Sequence, residues 1–136
     1  MKTNNDKFER VIKTEKTEIN KLVYDSVEYL LKWKKSGLAA DTDEFFFRLI
    51  IDELLANAFK HGNKGNPDKN IHVQITPKGS HVEIMVEDQG VGFSMGKVPD
   101  PTKENKYKKS GRGIKLMQEV SEIRCNKKGN CLYCKL

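Results

Sequence analysis

The sequence predicts an α+β fold, a two-layer sandwich with helices on one face of a mainly antiparallel mixed sheet. Two observations carry this. Apolar residues recur at helical spacing in two successive stretches between about residues 17 and 62, and at alternate positions in several shorter stretches. The order of these stretches is roughly strand, helix, helix, strand, strand, loop, helix, strand, strand. That order leaves few parallel crossovers, so the strands pair mainly antiparallel and the helices gather on one side. The 136 residues fit one domain over 1–136, large enough to bury a core without disulfides or metal.

The elements follow in order. "KFERVIKTE" reads as a first strand. In "TEINKLVYDSVEYLLKWKKSG", Ile19, Leu22, Val23, Val27, Leu30 and Leu31 form a helical stripe, and Gly37 is the stop. Within "DTDE", Asp41 is placed to cap the next helix, with Glu44 three residues on in the capping-box position. That helix runs through "FFFRLIIDELLANAFKH", is apolar nearly all round and is therefore expected to be largely buried; Gly62 ends it. "GNKGNPDKN" is a turn-rich loop. Two alternating strands follow, facing the core with Ile71, Val73 and Ile75 and then with Val82, Ile84 and Val86, joined by "PKGS" as a hairpin loop. A segment without periodicity runs from Ser94 to Ser110. "GRGIKLMQEV" then opens a helix, and "EIRCN" and "CLYCKL" close the chain as short strands around Gly129.

Composition narrows the function classes. Hydrophobic residues make up 37% and charged residues 32%, as in a soluble globular protein, and no apolar run approaches the ~20 residues of a membrane span. The start, "MKTNNDKFER", has no apolar segment of a secretion signal, so a cytoplasmic protein is expected. The net charge of +6 is compatible with nucleic acid, a polyphosphate ligand or an acidic partner. With one Trp, no interleaving of basic and aromatic residues and no reading motif, direct nucleic-acid binding is not expected. "CLYC" has zinc or redox spacing, but residues three apart on a strand point to opposite faces and a zinc site needs four ligands. Cys125, Cys131 and Cys134 are therefore expected to be reduced and partly buried.

Three motifs carry chemistry. In "ELLANAFKHGN", Glu53, Asn57 and His61 follow one another at one-turn spacing on an otherwise apolar helix. In "VEDQGVGF", Asp88 continues the inward-facing series of its strand, and an inward carboxylate needs a partner because burying it unpaired costs several kcal/mol. Gly90 and Gly92 allow close backbone approach. In "SGRGIKLM", Gly111, Arg112 and Gly113 open a helix whose free N–H groups suit an anion.

The order and spacing of these motifs, together with "PDPT", resemble the ATP-binding fold shared by gyrase, Hsp90, histidine kinases and MutL, the GHKL or Bergerat type. Within it the chain is most similar to the anti-sigma-factor serine/threonine kinases, the stand-alone bacterial members. The resemblance covers about Glu18 to Leu136. It implies that Asp88 reads adenine, that Gly90 and Gly92 pass close to the nucleotide, and that Asn57 supplies an oxygen to Mg²⁺, which prefers hard oxygen ligands. Glu53 is implied as the base that accepts or orients the proton of the attacking hydroxyl. Lys60 and His61 would lie near the phosphates, although a helix-end histidine favoured by the dipole explains His61 as well. The segment at about 94–112 would be a lid over ATP, ending in Gly111, Arg112 and Gly113. Two departures from the family pattern are Gln89 after the central acid, and "GNCLY" where a Gly-Thr pair often enters the last strand.

The activity so implied is ATP-dependent phosphorylation of Ser or Thr on a STAS-type anti-sigma-factor antagonist, with a sigma factor as the other partner and a homodimer formed through the first strand and helix. One alternative is a stand-alone catalytic domain of a histidine kinase, less favoured because the lid motifs match the other branch and no dimeric phospho-acceptor helix is expected. Another is an ATP-binding regulatory module without transfer.

Overall fold

The computed structural model describes residues 7–90, 122–125 and 130–136. Its elements are β1 (Phe8–Lys13), α1 (Lys16–Lys35), α2 (Glu44–Asn57), a π-helical turn (Ala58–Gly62), β2 (Asn70–Lys78), β3 (His81–Glu87), β4 (Glu122–Cys125) and β5 (Cys131–Lys135). The strands form one five-stranded sheet in the order β1-β2-β3-β5-β4. Every pairing among the described residues is antiparallel. The expected α+β architecture is present, and the apolar faces read from the alternation are the buried ones: Ile71, Val73 and Ile75 on β2, and Val82, Ile84 and Val86 on β3. They pack with Leu30 of α1 and with Phe47, Ile50 and Leu54 of α2 in one core.

Helix α1 stops where Gly37 takes a left-handed φ of +87°. Leu38 N–H reaches the Trp33 carbonyl at 2.8 Å and Gly37 N–H the Lys34 carbonyl at 3.1 Å, the paired bonds of a glycine-terminated helix. The buried face is rotated from the expected stripe: Leu31 is exposed, while Ser26 and Trp33 are buried.

The cap of α2 differs from the sequence expectation. Asp43, not Asp41, is the N-cap, and its carboxylate accepts from the Phe46 N–H at 3.0 Å. Long-range ties explain the shift. Asp41 N–H donates to the Ser80 carbonyl at 2.9 Å, Thr42 Oγ1 donates to the Leu136 carbonyl at 3.1 Å, and Lys34 Nζ donates to the Thr42 carbonyl at 2.6 Å. These bonds hold 41 and 42 against the sheet, so the helix begins after the next acid. The helix is also less buried than its composition predicts. Phe45 and Phe46 are exposed and contact one another edge to face at its start, whereas Phe47, Ile50, Ile51, Leu54 and Leu55 are buried.

The β2–β3 turn is tighter than "PKGS" implied. Only Gly79 and Ser80 separate the strands, with Gly79 at φ +62°. Pro77 lies within β2, opposite Val82. It is tolerated there because β1 pairs only as far as Ile75, so the missing N–H removes no bond from that ladder. On β5, Cys134 joins the core and Cys131 does not, as the strand period requires. Both are buried thiols, and burial pushes the Cys131 thiol up from its ordinary range. The side chain of Cys125 lies outside what the structure describes. Among the described residues no helix is long and apolar enough to cross a membrane.

Candidate functional site

The site grows from the C-terminal end of α2. Glu53 is half-buried on this helix, and Asn57, one turn later, is only 5% exposed. Among the described residues Asn57 Nδ2 has no hydrogen-bond partner. Buried amides in folded proteins are nearly always bonded, so this donor calls for a partner from solvent or a bound molecule. Lys60 and His61 follow on the π-helical turn, both exposed. The helix does not continue as α to Gly62, as the periodicity implied. Asn63 N–H bonds to the Ala58 carbonyl at 2.7 Å, five residues back, which widens the last turn. Such insertions are frequent at functional sites.

The second half of the site is the end of β3. Asp88 is half-buried and accepts the Gly90 N–H on Oδ1 at 2.7 Å. Its carboxyl group lies over Gly62, where a Cβ would overlap it, and a Cβ on Gly90 would strike the Gly62 carbonyl. Gly62 is therefore required for space beside Asp88, not for a left-handed helix stop. The two motifs meet through a glycine on each side, one at the close of "ELLANAFKHGN" and one in "DQGVGF".

Asp88 is fixed through its backbone. Its N–H donates to the Asn130 carbonyl at 2.8 Å, and Asn130 Nδ2 donates to the Asp88 carbonyl at 2.7 Å. Asn130 stands where the Gly-Thr pair was expected, so this departure carries its own contact to the central acid. Gln89 directs its side chain away from Asp88, its Oε1 accepting the Asn70 N–H at 2.6 Å. Asn63, Gln89 and Asn130 were not picked out as site residues by the sequence. The asparagine directly after "HG" and the one after Gly129 were the available signals. Gly92, Gly111, Arg112, Gly113 and the segment read as a lid lie outside the described residues.

The histidine kinase-like ATPase domain matches residues 23–135 of this chain. The chain belongs to that family. Among curated relatives, it is 27% identical to the anti-sigma F factor of Bacillus cytotoxicus over 78 residues, which is 55% of this chain and 53% of that protein. It is 29% identical to the anti-sigma F factor of Priestia megaterium over 96 residues, 65% of each chain. It is 35% identical to the alginate biosynthesis sensor protein KinB of Pseudomonas aeruginosa over 86 residues, 60% of this chain and 14% of that protein. The chain thus spans between about half and two thirds of the anti-sigma F factors it matches and a small part of the sensor.

Membership in this ATPase family implies ATP binding, and the described residues fit it. Near the end of α2 stands a buried amide, Asn57, and beyond it a half-buried acid, Asp88, packed on Gly62, so polar groups able to meet a nucleotide lie on adjoining elements. Asn57 yields a test that separates function from structure. A buried asparagine kept for the fold loses about 1–3 kcal/mol when its bonds are removed. Because Asn57 Nδ2 bonds to no described group, Asn57→Ala is expected to leave thermal stability unchanged or raised. The same variant should weaken Mg-ATP binding measured by calorimetry. A lower Tm with unaltered ATP affinity would make Asn57 a structural residue.

Proposed function

We propose that this ATPase domain is a protein-serine/threonine kinase of the anti-sigma-factor type. In this reading it phosphorylates a Ser or Thr on a STAS-type antagonist and binds a sigma factor, as a homodimer. The observation that carries the proposal is the pairing on α2 of half-buried Glu53 with buried Asn57 one turn on, just before the π-helical turn whose Gly62 packs against Asp88. A carboxylate one turn before an amide that holds Mg²⁺ would take the proton of an incoming hydroxyl. Asn57 would hold Mg²⁺ through its amide oxygen, adding no negative charge next to the phosphates. When bound, Mg-ATP supplies the transferable phosphoryl group and the charge neutralisation that phosphoryl transfer requires. Asp88 would accept a hydrogen bond from the exocyclic amine of adenine. Lys60 and His61, both exposed, stand on the turn beyond Asn57, where Lys60 would add positive charge and His61 a ring nitrogen toward the phosphates. Gly92, Gly111, Arg112 and Gly113 are proposed to complete the nucleotide site. The anti-sigma F factors among the relatives support the choice of partners.

The sensor protein among the relatives supports a second reading, transfer to histidine. One experiment separates the two. The chain is incubated with Mg-ATP labelled on the γ-phosphate and with a candidate antagonist protein, or with a histidine phospho-acceptor domain. Acid-stable label on Ser or Thr is the expected result. Acid-labile label on histidine would favour the second reading, and ATP binding without any transfer would overturn both.

A further inference from the structure

Asn63 is 1% exposed, and both its nitrogen and its oxygen are committed. Nδ2 donates to Thr14 Oγ1 at 2.8 Å and to the Asn70 carbonyl at 2.9 Å, and Oδ1 accepts the Gln89 N–H at 2.8 Å. Thr14 is free to accept because its own hydroxyl proton goes to the Lys69 carbonyl at 2.7 Å. Gln89 returns the tie, its Oε1 accepting the Asn70 N–H at 2.6 Å. Two side-chain amides therefore bind both backbone groups of Asn70, the first residue of β2, and lock the residue that follows Asp88 onto it. Asn130 grips the backbone of Asp88 from the β5 side. The same three bonds pull Asn63 out of α-helical register, which accounts for its N–H reaching back five residues to Ala58. That widened turn is what sets Gly62 under the Asp88 carboxyl group.

We propose that Asn63 is a positioning residue, acting with Gln89 as a clamp that fixes the direction of the Asp88 carboxylate and thereby sets the preference for adenine; this rests on the reading of Asp88 as the adenine acceptor. Asn63 touches no nucleotide in this scheme. A fully satisfied buried amide is rigid because each bond is costly to leave unmade. Its loss frees the Asp88–Gly90 turn to shift, while Asn57 is held by α2, which ends before the widened turn.

The test compares ATP with ITP, which keeps the triphosphate and ribose but carries a carbonyl in place of the exocyclic amine. Both are titrated calorimetrically into the full chain and into folded Asn63→Ala and Gln89→Ala variants, well below their melting temperatures. Wild type should prefer ATP. Asn63→Ala should weaken ATP by on the order of tenfold, the factor that one hydrogen bond of ordinary strength carries. ITP affinity should stay within about twofold, so the preference collapses. Gln89→Ala should move the ratio the same way by less. A merely structural role would lower stability and leave the ratio intact, and that result overturns the proposal. If Asn63→Ala does not fold, an unaltered preference in Gln89→Ala, whose residue is exposed, overturns it alone. Wild type that binds no ATP would instead remove the nucleotide reading itself, a failure seen before any variant is made.

Discussion

Gly62→Ala is expected to lose ATP binding while keeping most of its stability, and Gly90→Ala is expected to do the reverse in emphasis. The difference lies in what each new methyl group would meet. At Gly62 the obstacle is the end of the Asp88 side chain. A carboxyl group can swing aside by rotation, at the loss of its bond from Gly90 N–H, worth about 1.5–3 kcal/mol for a charged acceptor. The fold survives, but the acid no longer points where adenine needs it. Loss of a hydrogen bond to a charged group corresponds to a fall in affinity of about 10- to 100-fold. At Gly90 the obstacle is the Gly62 backbone carbonyl, which cannot rotate away. The π-helical turn that follows α2 and the turn that follows β3 must move apart, and overpacking of this kind costs about 1–3 kcal/mol or more. Urea denaturation and ATP titration on both variants check the contrast. Gly37→Ala is the control, since a methyl group there would meet nothing within 4 Å but the residue's φ is +87°. It should lower stability by about 1–2 kcal/mol through the left-handed backbone and leave ATP affinity intact. Equal ATP affinity in wild type and Gly62→Ala would show that Asp88 does not need the space that Gly62 leaves.

The parts of this fold that follow from local periodicity were legible in the sequence, and the parts that depend on distant contacts were not. The inward faces of β2 and β3 could be read because a buried sheet face imposes a period of two. Glu53, Asn57 and Asp88 could be read because polar groups interrupt apolar patterns there, and such interruptions need a reason. The cap of α2 falls two residues later than expected because Asp41 and Asp43 are chemically equivalent as caps. Ties from residues 41 and 42 to Ser80 and Leu136 decide between them. The exposure of Phe45 and Phe46 was not legible because a helix apolar on all sides gives no phase to its pattern. Gly62 looks like a helix stop, and its spatial role emerges only when Asp88 arrives from another element. Asn63 looks like one more polar loop residue, yet it reaches Thr14, 49 positions away, and Gln89, 26 positions away. What periodicity located was where polar groups interrupt the apolar pattern; what it lacked was the scaffold that holds them.

Glu53→Gln should bind Mg-ATP with affinity within about threefold of wild type and lose phosphoryl transfer by on the order of 10² or more, the range that a positioned general base contributes. The substitution keeps volume and hydrogen-bonding capacity on α2 while removing the ability to take up a proton. Its residue is half-buried, so a same-sized replacement should disturb the fold little, and circular dichroism should confirm an unchanged helix. Direct titration with Mg-ATP reports binding, and single-turnover transfer to the antagonist reports the chemical step, so the two effects are read separately. The neighbouring residue provides a further control. Asp52 is an exposed acid whose carboxyl is nonetheless shifted up by partial desolvation. Asp52→Asn should leave transfer near wild type if the proton goes to Glu53 alone. Full transfer activity in Glu53→Gln would sink the assignment of the base, and the proton would then have to leave by way of solvent or a group on the acceptor protein. Loss of ATP binding together with transfer would place Glu53 in nucleotide recognition instead. The expected outcome, binding kept and transfer lost, is the one that a carboxylate acting on the incoming hydroxyl requires, because its proton-accepting role is exercised only in the transfer step.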